Sequence, residues 1–250
     1  MLRTSRDECA LGSVGVSAYT QRWYDEFLRG VPPEQTEREA DFLERVVPRG
    51  RVLDVCCGLG RHLRALEARG YECVGVELEP RLVAEAPAAG LDVRELDMRD
   101  VGSVEGEFEG VLSMWASFGW FDDETNAEVL RRLAAKVAEG GRLVLDVWMP
   151  EFFETHHGTR EIRPGIVETK SVRDGRLYVE YDYGEGFDWR LYEPEELAPL
   201  VGLDPVRACS DWTESQPPSP DVPRYQLVLE RRARTARVYE AALDVADHAL

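Results

Sequence analysis

The glycine-containing loop after the first apolar segment carries the residues best suited to binding chemistry. Residues 51–56 predict a strand, and Gly58 and Gly60 follow it where a helix is predicted to begin. Glycine allows tight turns and close approach of a ligand to the backbone, and free amides at a helix start can meet a polar or anionic group. A dinucleotide-binding loop needs a third glycine where this chain has Leu63, so the loop fits a dinucleotide poorly.

Two acidic residues accompany this loop. Asp54 lies inside the predicted strand, four residues before Gly58, where its charge disfavours a pyrophosphate and suits the ammonium group of an amino acid. Glu77 ends the second predicted strand, 19 residues after Gly58, and a carboxylate there can accept hydrogen bonds from both ribose hydroxyls of an adenosine. The loop and Glu77 together indicate a nucleoside site.

Two further groups of residues follow the next predicted strands. Asp97 could accept a hydrogen bond from the adenine amino group and Met98 could pack on the ring, although Asp97 equally fits a cap of the next segment. Residues 113–121 follow the fourth strand and contain Trp115, Phe118 and Trp120 among their large side chains. These aromatic residues predict either core packing or a wall against a cofactor and an acceptor.

An alternating series of strands and helices must position these residues. Apolar runs predict strands at 51–56, 71–77, 91–96, 108–114 and 142–147. Helical spacing of apolar residues predicts helices at 19–29, 34–47, 60–69, 80–86 and 123–138, the last of them ended by Gly140 and Gly141. Strands that alternate with helices indicate crossover connections and a parallel sheet.

The pattern changes in the second half of the chain. Residues 161–183 alternate with period two and turn at Asp174–Gly175, which predicts an antiparallel hairpin. A short helix is expected at 194–201, a strand pair at 204–212 and 224–231, and a proline-rich loop between them. We therefore expect an α/β fold with a doubly wound, mostly parallel, seven-stranded sheet and an antiparallel insertion, preceded by N-terminal helices.

Five motifs in this order resemble a known family. The run V-L-D-V-C-C-G-L-G-R-H from Val52, followed by G-V-E, D-M-R, S-F-G-W-F-D and E-G-G-R-L-V-L-D, is similar to class I S-adenosylmethionine-dependent methyltransferases, in particular to a small-molecule branch from actinomycete natural-product chemistry. Cys56 replaces the family's usual glycine, and Leu59 replaces its usual threonine or proline. The resemblance is strong over 51–146 and looser in the flanks.

The resemblance implies a division of the site. Gly58 and Gly60 would line the methionine part of S-adenosylmethionine, with Glu77 on the ribose. The full set expected at the cofactor comprises Tyr19, Trp23, Tyr24, Asp54, Cys56, Gly58, Gly60, Arg61, Glu77, Leu78, Asp97, Met98, Met114 and Trp115. The set expected at the acceptor comprises Phe118, Trp120, Tyr183, Trp189, Arg190 and Tyr192. No catalytic residue is identified, and Phe118, His156 and His157 are the candidates.

The expected domains follow from these assignments. Residues 1–48 would form the helical lid, and 49–158 with 191–232 the Rossmann-like domain that binds S-adenosylmethionine and its product S-adenosylhomocysteine. Residues 159–190 would be an insertion on the acceptor side, and 233–250 a C-terminal helix. For the N-terminal helix, a lid over the cofactor and simple packing on the core both stay open.

Composition limits the partners. The formal charge of −18 repels phosphate backbones and acidic lipids, so we expect no nucleic acid and no membrane partner. Five irregularly spaced cysteines predict no disulfide framework, so we expect a cytoplasmic protein, and no cluster has metal-ligand spacing, so we expect no metal. Lys, Asn and Ile are rare whereas Arg, Ala and Gly are abundant, which indicates a bacterial genome of high GC content. A homo-oligomer is left open.

The expected reaction is methyl transfer from S-adenosylmethionine to a small-molecule acceptor. Nitrogen is favoured as the methylated atom because a neutral amine needs no strong base and the sequence offers no clear one. Transfer to oxygen or carbon on the same fold is the alternative. A nicotinamide-dependent oxidoreductase and a cofactor-binding protein that transfers no methyl group are rivals from other classes.

Overall fold

A seven-stranded mixed sheet forms the centre of the protein. The computed structural model describes residues 23–233, so the expectations for Tyr19 and for a C-terminal helix fall outside the described residues. The strand order is β10-β11-β5-β4-β1-β2-β3. The strands of this sheet are β1 Arg51–Val55, β2 Glu72–Glu77, β3 Val93–Glu95, β4 Phe108–Ser113, β5 Val137–Trp148, β10 Asp204–Ser210 and β11 Arg224–Glu230.

Strands β1 to β5 are parallel, and β11 pairs antiparallel with both β5 and β10. The doubly wound, mostly parallel sheet predicted from the sequence is therefore confirmed, including the antiparallel strand near its end. Parallel strands covered on both faces require apolar side chains in both directions. In β1, Val52 and Leu53 are both fully buried and enter the cores on opposite faces of the sheet.

Helices cover both faces of this sheet. They are α1 Pro33–Val46, α2 Arg61–Glu67, α3 Pro80–Glu85, α4 Asp123–Ala135, α5 Pro150–Thr155 and α6 Pro194–Leu197. Short 3₁₀ helices lie at Ala86–Ala89, Met98–Ser103 and Ala198–Leu200. Phe42 and Leu43 of α1 pack on one face, whereas Leu130 and Leu133 of α4 pack on the other. Helix α1 begins at a proline because the first helical position needs no N–H partner.

Two predicted boundaries are wrong. Helix α4 ends at Ala135 and not at 138, and Gly140 and Gly141 lie inside β5 instead of ending the helix. A Cβ on Gly141 would lie 2.9–3.0 Å from three backbone oxygens, so close strand pairing requires glycine there. The helix expected at 194–201 is α-helical only to Leu197, because Pro199 has no backbone N–H to donate.

A second, antiparallel sheet of four strands follows α5. Its strands, in sheet order, are β6 Gly158–Arg163, β7 Ile166–Arg173, β8 Arg176–Tyr181 and β9 Gly186–Arg190. The predicted turn is confirmed, since Asp174 and Gly175 both have positive φ between β7 and β8. Strand β9 also contacts the loop after β4, where the Arg190 N–H donates to the Gly119 carbonyl at 2.8 Å.

A short π-helix, Tyr24–Leu28, bridges the two sheets at the N-terminal end of the described chain. The ring of Phe27 lies 5.5 Å from Tyr181 of the antiparallel sheet. On the other side, Leu28 fills the space beside Gly58, 3.1 Å from where a Cβ on that glycine would lie. In the part of the chain that the structure describes, no helix is long and apolar enough to span a membrane.

Candidate functional site

A cavity of about 350 Å³ opens at the carboxyl ends of β1, β2 and β4, the edge at which open α/β sheets bind ligands. The π-helix and strand β9 form its other sides. Twelve of the residues expected at the cofactor or acceptor line it: Trp23, Tyr24, Cys56, Gly58, Arg61, Glu77, Leu78, Asp97, Met98, Met114, Trp115 and Trp120. Asp54 and Gly60 do not line it, although they belong to the same loop region.

The glycine loop has an unusual backbone. Cys56, Gly58 and Gly60 all have φ between 57° and 69°, the left-handed region that favours glycine. Cys56 therefore adopts a conformation that costs a residue with a Cβ about 1 kcal/mol or more. Gly60 packs under the loop, where a Cβ would lie 2.5 Å from Leu91, so its role in the structure is close packing rather than lining the cavity.

Glu77 ties this loop to the end of β2. Its carboxylate accepts hydrogen bonds from the backbone N–H groups of Gly58 at 2.9 Å, Leu78 at 2.9 Å and Glu79 at 3.0 Å. Burial raises the pKa of Glu77 above its usual value, and the three hydrogen bonds offset only part of that rise. The glycine loop and Glu77 therefore line the same cavity.

Asp54 is a buried carboxylate beneath the loop. Neither of its carboxylate oxygens has a hydrogen-bond partner among the described residues, and His62 Nδ1 lies 3.8 Å from Oδ2. Burial raises the pKa of Asp54 to about 7, although the charge of Arg61 opposes the shift. A buried, unpaired carboxylate is costly, so this position suits a cation brought from outside the chain.

Glu39 of α1 is a buried acid that the sequence analysis missed. Its Oε2 bonds to His62 Nε2 at 2.9 Å, its Oε1 accepts from Trp115 Nε1 at 2.9 Å, and it forms an ion pair with Arg61. A signal was present, because Glu39 lies three, four and seven positions before buried apolar residues of α1 and so falls on the apolar face.

The protonation states within this cluster follow from burial and partners. Burial lowers the pKa of His62 to about 4, so the ring is neutral at pH 7 and carries its proton on Nε2 toward Glu39. Burial raises the pKa of Glu39, but the His62 hydrogen bond and the charge of Arg61 outweigh it, and the net pKa lies below the usual value. The Arg61 guanidinium lies 4.5 Å over the Trp115 ring, and its buried Nη2 has no hydrogen-bond partner among the described residues.

The loop after β4 is held in a strained form by Asp146 at the end of β5. Trp115 and Ala116 both have positive φ, 56° and 55°. Asp146 Oδ2 accepts the Trp115 N–H at 2.9 Å, and its backbone carbonyl accepts the Ala116 N–H at 2.8 Å. Gln226 donates to the other carboxylate oxygen at 2.9 Å, so neighbouring strands fix the acid. Two consecutive residues keep this costly backbone conformation only where several surrounding contacts hold it in place.

Asp97 acts as a helix cap in this structure. Its Oδ1 accepts the Arg99 N–H at 2.8 Å at the start of the 3₁₀ helix that follows β3, and its carboxylate pairs with the Arg99 guanidinium. Burial alone would raise the pKa of Asp97, but these Arg99 contacts bring it below its usual value. Asp97 and Met98 also line the cavity, so the capping role and the adenine role are compatible.

The aromatic wall opposite the glycine loop contains Trp23, Trp120 and Phe187. Trp120 packs edge-on against Phe187, with ring centroids 5.9 Å apart. The cavity also contacts Asp188 and Gly186 of β9, which the predicted acceptor set did not include.

The structure does not bring the other predicted acceptor residues to the cavity. Phe118 is buried in the core against Tyr192 at 5.5 Å, and Trp189 lies behind Trp120 at 4.7 Å. Tyr183 stacks on Tyr181 at 5.3 Å. Arg190 pairs with Asp123 and Glu196 instead of facing the cavity.

The two histidine candidates also lie outside the cavity. His156 is exposed after α5 and stacks on Phe152 with ring centroids 3.9 Å apart. His157 Nδ1 lies 3.1 Å from the Phe153 carbonyl. Within residues 23–233, no group of three histidine, cysteine or acidic residues is placed to hold a metal ion.

Sequence comparison matches residues 52–141 to the family described as Methyltransferase domain. The chain is 24% identical over 226 residues to “Putative methyltransferase YqeM” of Bacillus subtilis, covering 78% of this chain and 89% of that protein. It is 33% identical over 151 residues to the dTDP-3-amino-3,6-dideoxy-alpha-D-glucopyranose N,N-dimethyltransferase of Streptomyces fradiae, covering 57% of this chain and 55% of that enzyme.

Solved structures with a similar fold are also methyltransferases. The CcbJ methyltransferase of Streptomyces caelestis aligns with a TM-score of 0.70 at 19% identity, covering 84% of this chain and 95% of that one. The sugar N-methyltransferase KedS8 of Streptoalloteichus aligns with a TM-score of 0.61 at 24% identity, covering 93% and 98%. These likenesses place the fold among Rossmann-like methyltransferases.

Proposed function

We propose that this chain, an S-adenosylmethionine-dependent methyltransferase, transfers the methyl group of its cofactor to a nitrogen atom of a small-molecule acceptor. One observation carries the proposal: a single cavity joins the Gly58–Glu77 crevice to the aromatic wall around Trp120. Cofactor and acceptor can therefore meet in one enclosed space. The relatives named for amino-sugar and sugar N-methyl transfer support nitrogen as the methylated atom.

The residues present fit the groups of the cofactor S-adenosylmethionine. Arg61 lines the cavity, and its unpartnered Nη2 suits the carboxylate of the methionine part. Asp54 lies beneath the loop and does not line the cavity, so we propose that its charge favours the ammonium of the methionine part without direct contact. The buried Nη2 of Arg61 would then gain a partner of opposite charge. We propose that Glu77 accepts the ribose hydroxyls and that Asp97 and Met98 contact the adenine.

When bound, the cofactor supplies an already activated methyl group, so the chain mainly positions the two partners and excludes water. The π-helix closes the cavity from outside, with Tyr24 and Leu28 in its lining. Arg29, next to this helix, bonds to Glu85 of α3 at 2.6 Å and holds the helix over the site. We propose that this segment is the lid, and that it opens to release the product S-adenosylhomocysteine.

The available bases favour a nitrogen acceptor. His62 is the only histidine among the described residues that line the cavity, and its ring is bonded to Glu39 and neutral at pH 7. With a pKa of about 4 it is too weak a base to deprotonate a hydroxyl at neutral pH. A neutral amine has its lone pair available without such help, whereas a hydroxyl acceptor usually does not.

The test uses cofactor labelled with ¹³C in the methyl group and two matched acceptors. One acceptor is the dTDP-3-amino-3,6-dideoxyglucose in the name of the Streptomyces fradiae relative, and the other carries a hydroxyl in place of the amine. We expect an N-methyl ¹³C signal from the amine and no labelled product from the hydroxyl analogue. A labelled O-methyl or C-methyl product, or none with a broader amine panel despite calorimetric cofactor binding, would contradict nitrogen transfer.

A further inference from the structure

We infer that Thr36 and Glu39 of helix α1 are positioning residues for cofactor binding: they orient the guanidinium of Arg61 so that its Nε–Nη2 edge meets the carboxylate of the methionine part. The inference rests on the proposed contact between Arg61 and that carboxylate, and it adds the residues that set the geometry of the contact. The cofactor set expected from the sequence contains Arg61 but neither Thr36 nor Glu39.

Groups of the chain itself occupy the acceptor positions of Glu39. Its Oε2 accepts from His62 Nε2 at 2.9 Å and pairs with Arg61 Nη1. Its Oε1 accepts from Gln35 Nε2 at 3.0 Å and from Trp115 Nε1 at 2.9 Å. An ionised carboxylate has about four acceptor positions, and these donors fill them. Glu39 is also fully buried, so it acts on a ligand only through the residues that it holds.

Arg61 keeps one edge of its guanidinium for a ligand. Its Nη1 donates to Thr36 Oγ1 at 3.1 Å and to Glu39, which uses both hydrogen atoms of that nitrogen. Nε and Nη2 have no hydrogen-bond partner among the described residues, and Arg61 lines the cavity. Together Nε and Nη2 form a paired N–H edge that can bind a carboxylate in bidentate fashion. The guanidinium is planar and rigid, so fixing Nη1 also fixes this free edge.

Three side chains define the orientation of the guanidinium. Its central carbon lies 4.5 Å from the centre of the Trp115 ring, which limits its tilt. The Trp115 ring is itself held by its hydrogen bond to Glu39. Within the guanidinium plane, the two bonds of Nη1 limit rotation. Thr36 and Glu39 are three positions apart on α1 and so share one face of that helix, which lets α1 orient Arg61 of α2 as a unit.

Charge alone predicts an effect of Glu39 opposite to that of positioning. Burial raises the pKa of Glu39, but the His62 hydrogen bond and the charge of Arg61 outweigh it, so the side chain is ionised at pH 7. An ionised acid beside Arg61 repels a ligand carboxylate, and its removal would strengthen carboxylate binding if charge were decisive. Positioning predicts weaker binding, because a guanidinium that must be ordered by the ligand loses affinity. The sign of the change therefore separates the two explanations.

The test compares two ligands that differ only in the carboxylate: S-adenosylhomocysteine and its decarboxylated analogue, which keeps the amino group. Each is titrated calorimetrically into the full chain at neutral pH. The ratio of the two dissociation constants measures recognition of the carboxylate, and it is independent of the folded fraction of the sample. We expect the wild type to prefer S-adenosylhomocysteine by about 10- to 100-fold, the range for hydrogen bonds to charged groups.

The variants change the orientation of Arg61 and keep its charge. Glu39→Gln places an amide nitrogen against two of the donors, and we expect it to reduce the preference about fivefold or more. Thr36→Val removes one acceptor of Nη1 at a half-buried position, with less risk to folding, and should reduce the preference about two- to fivefold. Glu37→Gln removes an equal charge from an exposed position on α1 and should keep the preference within about twofold.

An unchanged preference in either Glu39→Gln or Thr36→Val would overturn the inference, as would a stronger preference in Glu39→Gln or an equal fall in Glu37→Gln. If Glu39→Gln gives no folded protein, the ratio in Thr36→Val decides alone. A wild type without any preference would contradict the Arg61 contact and the inference that depends on it. Nitrogen transfer fails separately, because a ¹³C label found on oxygen would leave the carboxylate preference intact.

Discussion

The two sides of the cavity are built from different kinds of residues. The side of the parallel sheet is built on buried charged groups with fixed partners, among them Glu39, Glu77 and Asp146. The side of the antiparallel sheet is built on aromatic rings, among them Trp120 and Phe187. Directional bonds suit one invariant cofactor, whereas ring surfaces tolerate acceptors that differ in detail. The difference predicts where substitutions will unfold the protein and where they will change its selectivity.

The largest effect is expected from the buried acid of α1. Glu39→Gln keeps the shape but leaves the charge of Arg61 without its partner, and breaking a buried pair costs about 3–5 kcal/mol of the free energy of unfolding. Urea denaturation measures the loss. Glu37→Gln on the same helix is the control, because Glu37 is exposed and should change stability by less than about 0.5 kcal/mol. A small effect at Glu39 would remove the contrast between the two sides.

The next effect depends on pH. The folded protein raises the pKa of Asp54 from 3.8 to about 7, so this group stabilises the fold below pH 4 and the contribution is lost as pH rises toward 7. One pKa unit corresponds to about 1.4 kcal/mol, which limits the loss to about 4 kcal/mol. Asp54→Asn cannot titrate, so the free energy of unfolding should decline less between pH 5 and pH 8.

The check on Asp54 is a series of urea denaturation curves at half-unit steps of pH. Exposed Asp92→Asn is the control and should keep the wild-type decline. Identical pH dependence in Asp54→Asn and the wild type would show that Asp54 is ionised in the folded protein without cost, and would contradict its description as an unpaired buried acid.

A smaller effect separates Phe118 from Trp120. Phe118 is 2% exposed in the core, so Phe118→Ala should cost about 3 kcal/mol of stability, the lower end for a buried phenylalanine. Trp120 lines the cavity, so Trp120→Ala should raise the acceptor KM with a smaller loss of stability. Thermal unfolding and steady-state kinetics measure the two effects. A raised acceptor KM in Phe118→Ala at unchanged stability would return Phe118 to the acceptor site.

The strands of the parallel sheet could be predicted from the sequence because the patterns that indicate them are local. The apolar run before Gly58 predicts β1, and the acid at the end of the next run predicts the position of Glu77 at the same sheet edge. The turn at Asp174–Gly175 is equally local, because two residues with positive φ favour these types. Each of these predictions depends on a few neighbouring residues.

The lining of the cavity on the side of the antiparallel sheet depends on tertiary pairing, which local sequence patterns do not show. Strand β9 has five residues, and its pairing with β8 is what buries the face that carries Phe187 and Trp189. Sequence spacing could not show that Trp189 lies behind Trp120 while Asp188 reaches the cavity. Asp146 was missed for the same reason, since its partners Trp115 and Gln226 come from distant segments.

One measurement tests the division of the cavity most directly: calorimetric titration of S-adenosylhomocysteine into the wild type, Glu77→Ala and Trp120→Ala. Glu77→Ala should weaken binding by about 1–3 kcal/mol, because ribose hydroxyls would lose a charged partner. Trp120→Ala should bind within about 0.5 kcal/mol of the wild type, the size of effect expected away from the contacts. Unchanged affinity in Glu77→Ala, or an equal loss in Trp120→Ala, would contradict separate cofactor and acceptor sides.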